Sequence, residues 1–145
     1  MYYLKMLLAL SGLLMINEAC TQDLSNHRWQ HRLVIVLTDQ PTNAAYVQQL
    51  QELQRDEAAL TERRILVYQS IPQQYRIGLG DEDWAQSSSI YEQYKRSDTP
   101  FEVLLIGLDG GVKLRRTEPV AQADLFSLID QMPMRQAEMR RKKKS

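Results

Sequence analysis

The segment Leu33-Val34-Ile35-Val36-Leu37 is an unbroken apolar, largely β-branched run, with no polar residue on either of its alternating faces. A strand of that kind is buried on both sides, so the chain needs a sheet with other elements packed over both faces. The next residues supply such an element. Thr38 to Asn43 is polar, contains Pro41 and offers several helix-capping side chains, which predicts a turn into a helix. Ala44 to Leu60 then places Tyr46, Val47, Leu50, Leu53 and Ala58 on one stripe at helical spacing. Arg63-Arg64 leads into a second short apolar strand, Ile65-Leu66-Val67-Tyr68. Strand, helix, strand at this spacing is a βαβ unit, whose two strands run parallel.

Ser70 to Ser89 reads as loop, with Pro72, Gly78, Gly80 and the acidic Asp81-Glu82-Asp83. Ser88 to Arg96 has the pattern of a short helix burying Ile90, Tyr91 and Tyr94, and Ser97 to Pro100 ends it. Phe101 to Leu108 is a third apolar strand. Asp109-Gly110-Gly111 is a hairpin turn, because glycine accepts the positive φ of tight turns. Val112 to Arg116 returns antiparallel, with Lys113 and Arg115 predicted on the solvent side. Ala121 to Met132 forms a closing helix with Leu125, Leu128, Ile129 and Met132 on one face, and Pro133 is expected to stop it. The order β-α-β-α-β-β-α resembles that of the thioredoxin fold. The expectation is an α/β, thioredoxin-like three-layer domain over residues 31–134, with a central mixed sheet of about four strands.

Residues 1–19 read as a signal peptide. Lys5 precedes the apolar stretch Met6 to Ile16, whose 11 residues suit an export signal. A bilayer crossing needs about 20. Two fates are open at the end of this stretch: cleavage after Ala19, or lipidation of Cys20. Residues 20–30 form an exported lead, and residues 135–145 a basic tail. From Met134 onward six basic residues stand against one acid, so the remainder of this electrically neutral chain is acidic by five. The run Arg140 to Lys144 is expected to be disordered by self-repulsion, with anionic lipid or polysaccharide as its natural contacts. Neutrality overall argues against a nucleic-acid partner.

A longer resemblance is carried by Phe101 to Arg115, with its Asp109-Gly110-Gly111-Val112-Lys113 hairpin. It continues through Leu125 to Met139, which contains Ile129-Asp130-Gln131-Met132-Pro133-Met134-Arg135. The Arg32 and Arg64 strands fit the same pattern more loosely. These segments resemble a domain of unknown function of small exported bacterial proteins, related to a domain of animal sushi-repeat and coiled-coil-domain-containing extracellular-matrix proteins. Leu108 departs from the pattern, which has lysine before Asp-Gly. The resemblance implies a thioredoxin/peroxiredoxin-like fold and brings no activity with it.

In such a fold the reactive cysteine follows the first strand, where a helix N-terminus lowers the thiol pKa. Here that segment is Thr38-Asp39-Gln40-Pro41-Thr42-Asn43, and the only cysteine of the chain is Cys20. Neither a disulfide within the chain nor a Cys-x-x-Cys site is possible. Thr99-Pro100 lies where thioredoxin-like folds carry a cis-proline. A cis bond there would leave a concave ligand site built from Asp39, Gln40, Thr42 and Pro100, while a trans bond would make Pro100 an ordinary helix stop. His27 and His31 read as surface histidines rather than a metal pair, and Met132, Met134 and Met139 as packing residues rather than copper ligands. No catalytic residue, metal or cofactor is expected. The functional expectation is an exported, non-enzymatic binding domain whose partner is an envelope or extracellular protein or glycan, with a possible membrane contact through Cys20 or the basic tail. A divergent peroxiredoxin-like oxidoreductase and a lipid-anchored structural protein are the alternatives.

Overall fold

The computed structural model describes residues 23–87 and 89–145. Arg32 to Thr38 forms β1, every residue of which is buried. β2 (Ile65–Ile71) lies parallel on one side, and β5 (Phe101–Ile106) lies antiparallel on the other. β3 (Gln74–Ile77) and the two-residue β4 (Ala85–Gln86) extend the sheet beyond β2. β6 (Val112–Arg116) closes the opposite edge beside β5. The sheet therefore has six strands in the order β4-β3-β2-β1-β5-β6, two more than the sequence pattern predicts. The extra pair falls in the stretch read as loop. β2 runs on to Ile71, turns at Pro72-Gln73, and pairs back through the half-polar Gln-Tyr-Arg-Ile of β3.

Side-chain alternation divides the core in two. Val34 and Val36 face α1 (Ala44–Gln54), α2 (Glu57–Glu62) and α4 (Gln122–Asp130), meeting Tyr46, Leu53, Leu60, Leu125 and Ile129. Leu33, Ile35 and Leu37 face α3 (Ser89–Tyr94) and a short 3-10 turn (Leu24–His27), meeting Ile90 and Leu24. These faces are the outer layers of a three-layer arrangement.

Four local expectations are corrected. The helix predicted over 44–60 is two helices, because Asp56 leaves helical backbone and caps α2 by accepting the Ala59 N–H at 2.9 Å. Its buried stripe includes Gln49 and omits Val47, which is 41% exposed. Pro133 does not stop the chain's helices. It occupies the first turn of α5 (Pro133–Lys144), where its missing N–H costs nothing. The basic tail expected to be disordered is the second half of that helix. Of the two forms left open for Thr99-Pro100, the bond takes the trans one, since no peptide bond among the described residues is cis.

The two ends of the sheet differ in character. The upper end comprises the ends of β1 and β2 and the start of β5. The lower end comprises the starts of β1 and β2, the end of β5 and the 107–111 hairpin.

Candidate functional site

At the upper end, Thr38 begins the turn out of β1. Its hydroxyl sits 3.0 Å from the Gln40 carbonyl and 3.1 Å from the Pro100 carbonyl. The Asp39 N–H donates to that same Pro100 carbonyl at 3.1 Å. Asp39, Gln40, Pro41 and Thr42 are all exposed, and the Asn43 side chain caps α1 by accepting the Tyr46 N–H at 3.1 Å. The structure thus brings the predicted residues Asp39, Gln40 and Pro100 together, with Thr42 on the same exposed turn. It does so with a trans proline whose carbonyl points at the turn.

The sequence reading missed what lies beneath this turn. The Tyr91 hydroxyl of α3 donates to the Asp39 carboxylate. Burial, followed by this carboxylate, pushes the Tyr91 phenol well above its ordinary value. Next to it Glu102, the second residue of β5, is fully buried. Its carboxylate accepts the N–H groups of Arg96, at 3.0 Å, and Ser97, and takes the Arg115 guanidinium at 2.6 Å. Burial alone would raise this carboxyl; the bonds from Ser97, Arg96 and Arg115 outweigh it and hold the group below the usual carboxylate range. Arg115, expected on the solvent side, instead turns under α3, where it also donates to the Tyr94 carbonyl at 2.7 Å. A signal for this existed: Glu102 is the lone acid inside the run Phe101 to Leu108.

A second polar group lies on the opposite face near the same end. The Tyr46 hydroxyl donates to Gln69 Oε1, which also accepts from Arg76 at 3.1 Å, while Gln69 Nε2 donates to the Gly78 carbonyl at 2.7 Å. Arg76 lies 4.6 Å from the centre of the Trp84 ring, within cation–π range. Both ends of the Gln69 amide are thereby bonded, and the group ties β3 to α1.

The residues singled out by the family resemblance lie at the lower end. Asp130 accepts from Arg63 at 2.7 Å and from Arg135 at 3.1 Å. Burial opposes ionisation of Asp130, but the Arg63 and Arg135 bonds outweigh it and lower its pKa. Arg135 is 4% exposed and also reaches Glu62 at 3.1 Å and Glu138 at 3.4 Å. Glu138 in turn lies 3.3 Å from the buried Arg32. Met132 precedes α5 and packs on the core, whereas Met134 is exposed. In the hairpin, Asp109 accepts from the Gly111 N–H at 2.9 Å and from Lys113 at 2.8 Å, and Gly110 takes φ +82°. These contacts hold backbone and helix in place.

His27 and His31 are half-buried rather than superficial. His27 Nε2 sits 2.7 Å from the Tyr68 hydroxyl, and burial, with His31 beside it, lowers the His27 pKa. No group of three potential metal-ligating side chains occurs among the described residues, and no helix among them is long and apolar enough to cross a membrane. Residues 1–19 and Cys20 lie outside the described residues.

The three layers, the mixed sheet and the helix starting after β1 define a thioredoxin-like α/β domain. A solved structure of the reduced 2-Cys peroxiredoxin of Plasmodium vivax superposes with a TM-score of 0.52 at 12% identity, over 74% of this chain and 80% of that one. At that identity the likeness concerns the fold alone. The chain belongs to the family described as a domain of unknown function (DUF4174), whose model matches residues 23–138. No curated protein matches it. The match runs through α5 as far as Glu138, the residue that pairs with Arg32.

Proposed function

We propose that this chain is an exported, non-enzymatic binding domain that engages its partner through the turn Asp39-Gln40-Pro41-Thr42 and the adjoining Pro100. The observation that carries this reading is the state of Asp39. In the turn where a thioredoxin-like enzyme holds its reactive thiol, this chain has a carboxylate bonded to the Tyr91 phenol. A carboxylate so placed accepts hydrogen bonds from a partner's hydroxyl or ammonium groups and does not attack a peroxide or a disulfide. The single cysteine, Cys20, stands 12 residues before β1. The leader pattern of residues 1–19 and the resemblance to domains of exported and extracellular-matrix proteins support export. They make an envelope or extracellular protein or glycan the partner class.

The test has two arms. Mature chain carrying Cys20→Ser, incubated with hydrogen peroxide and a dithiol reductant, is expected to consume no peroxide above the buffer rate; turnover by that variant overturns the reading in favour of an oxidoreductase. The second arm compares wild-type chain with an Asp39→Ala/Thr42→Ala double variant in affinity capture from an envelope fraction. Loss of the captured species from the variant is expected, and an identical captured set removes the turn as the binding surface.

A further inference from the structure

Helix α5 is fixed at its first half and charged at its second. Arg135, buried among Asp130, Glu62 and Glu138, anchors the first turns, and the Arg32–Glu138 pair locks the middle to the start of β1. The helix then continues through Arg140, Arg141, Lys142, Lys143 and Lys144, all exposed. Consecutive helical residues step about 100° around the axis, so these five cations surround the helix end rather than forming one face. Among the described residues only Lys142 has a carboxylate within ion-pair distance, Glu62 at 3.4 Å. One or two cations would suffice to favour the negative end of a helix dipole. Five in succession, four of them unpaired, exceed that need.

The position of this charge matters as much as its size. Arg32 is the first residue of β1, and its partner Glu138 stands two residues before Arg140. The basic end of α5 is therefore set at the lower end of the sheet. The N-terminal segment reaches the same end: Leu24 is buried with Leu33 and Ile106, and Asp23 lines a cleft with Ile106 and Gly110. Cys20 lies three residues before Asp23, a span of at most about 11 Å of extended chain. Two more exposed arginines, Arg28 and Arg64, belong to this end and have no carboxylate partner among the described residues. The carboxylates there are engaged: Asp109 by Lys113, Asp130 by Arg63 and Arg135, Glu138 by Arg32 and Arg135, and Asp23 by Ser25.

We propose that this lower end is a membrane-facing surface, on which the basic end of α5 rests against the headgroups of an anionic phospholipid bilayer. The contact is electrostatic, since α5 has no apolar face past Met139 to insert. Each basic residue at such a surface raises partitioning about fivefold, and salt screens the effect. A polybasic end alone binds reversibly, whereas a basic patch together with one acyl chain anchors stably. The headgroup contact stands without the export reading; its pairing with a lipid on Cys20 rests on that reading.

The test uses full chain and a variant in which Arg140, Arg141, Lys142, Lys143 and Lys144 are each replaced by glutamine, which keeps helix propensity. Flotation is measured with phosphatidylcholine vesicles, with and without phosphatidylglycerol, at low and high salt. Lys5 of the leader, Arg28 and Arg64 are unchanged in the variant, so the difference in anionic increment between wild type and variant isolates α5. Wild-type chain is expected to bind the anionic vesicles at least tenfold more tightly than the neutral ones, with that increment lost at high salt and in the variant. A three-lysine variant (Lys142, Lys143 and Lys144→Gln) should fall between the two. An undiminished increment in the five-residue variant overturns the proposal, as does preferential binding to soluble dextran sulfate over anionic vesicles. Cys20→Ser, in a fatty-acid labelling experiment, separates the two readings: it abolishes any label while leaving the anionic increment intact.

Discussion

Replacing Glu102 with glutamine tests the buried charge beneath the candidate site. The carboxylate has no exposed surface, and its Oε2 lies 2.6 Å from Arg115 Nη1 while Oε1 serves the Arg96 and Ser97 N–H groups. Glu102→Gln keeps an acceptor for the two backbone groups but turns an amide donor toward the guanidinium. A charge-assisted bond is worth about 1.5–3 kcal/mol, and breaking a fully buried ion pair costs about 3–5. Arg115 keeps 30% of its side chain exposed, so water takes up part of its lost partner and the lower range applies. The expected loss is about 2 kcal/mol, or roughly 7 °C in thermal midpoint for a domain of this size. Urea unfolding followed through Trp29 and Trp84 measures it. The pH dependence adds a sign. The folded-state pKa of Glu102 is depressed, so its stabilisation is complete above the pKa of the unfolded chain, about 4.3, and is lost as pH falls through the lower folded value. The gap between wild type and variant should therefore be widest near neutrality and close on acidification. A gap under about 0.5 kcal/mol at neutral pH, or one that stays constant down to about pH 3, would refute the assignment of Glu102 as an ionised, paired carboxylate.

Two further outcomes follow from the lower end. Arg135→Met keeps the volume but removes the buried guanidinium that joins Glu62, Asp130 and Glu138, leaving Glu62 to Arg63 and Lys142, Asp130 to Arg63 and Glu138 to Arg32; a loss of about 2 kcal/mol is expected, and amide exchange should accelerate in α5 ahead of β1. Gly110→Ala puts a Cβ at φ +82°, 2.9 Å from Arg28 Nε; the flexible guanidinium moves aside, so the cost is the backbone's, about 1 kcal/mol, read as a lowered urea midpoint with an unchanged slope.

Legibility in the sequence tracked how locally each feature is encoded. β1 is built on the apolar run Leu33 to Leu37, and β5 is apolar but for Glu102, so both are visible. The Asp109-Gly110-Gly111 turn announced itself through glycine at the one position of the hairpin that takes positive φ. β3 was not visible, because Gln74 to Ile77 is an outer strand covered only in part, and nothing in Gln-Tyr-Arg-Ile demands a sheet until β2 lies beside it. Arg32 and Arg135 were the hardest to place. A lone arginine at a strand start or after a proline reads as surface, and burial of these two follows only from carboxylates up to 106 positions away in the chain. The end of α5 departs from its sequence expectation for a related reason. Like charges in succession argue for disorder when taken alone, but the helix is nucleated upstream, at Pro133 and Arg135, and propagates into the charged run. At the candidate site, Glu102 was conspicuous as an acid inside an apolar strand. Its partner was not, because Arg115 and Glu102 meet only once β5 and β6 are paired.

The division between the two ends of the sheet bears on how the family pattern should be read. Among the positions that carry the resemblance, Asp109 and Lys113 pair within the hairpin, and Asp130 and Arg135 pair where α4 meets α5, with Arg135 also reaching Glu62 ahead of β2. A long motif need not mark a reactive centre, and here its ionisable members make ion pairs with one another and with Arg63, Glu62 and Glu138. At the upper end the residues outside that motif, Asp39, Gln40 and Thr42, are the ones left facing solvent. They sit on a base stiffened by the Glu102–Arg115 pair and the Tyr91 phenol. Under the function proposed above, the upper turn is the part that meets a partner protein or glycan, and the paired residues of the lower end are the part that holds the frame. The substitutions that change partner choice should accordingly fall in residues 39–42, and those that change folding in residues 109–113 and 130–135.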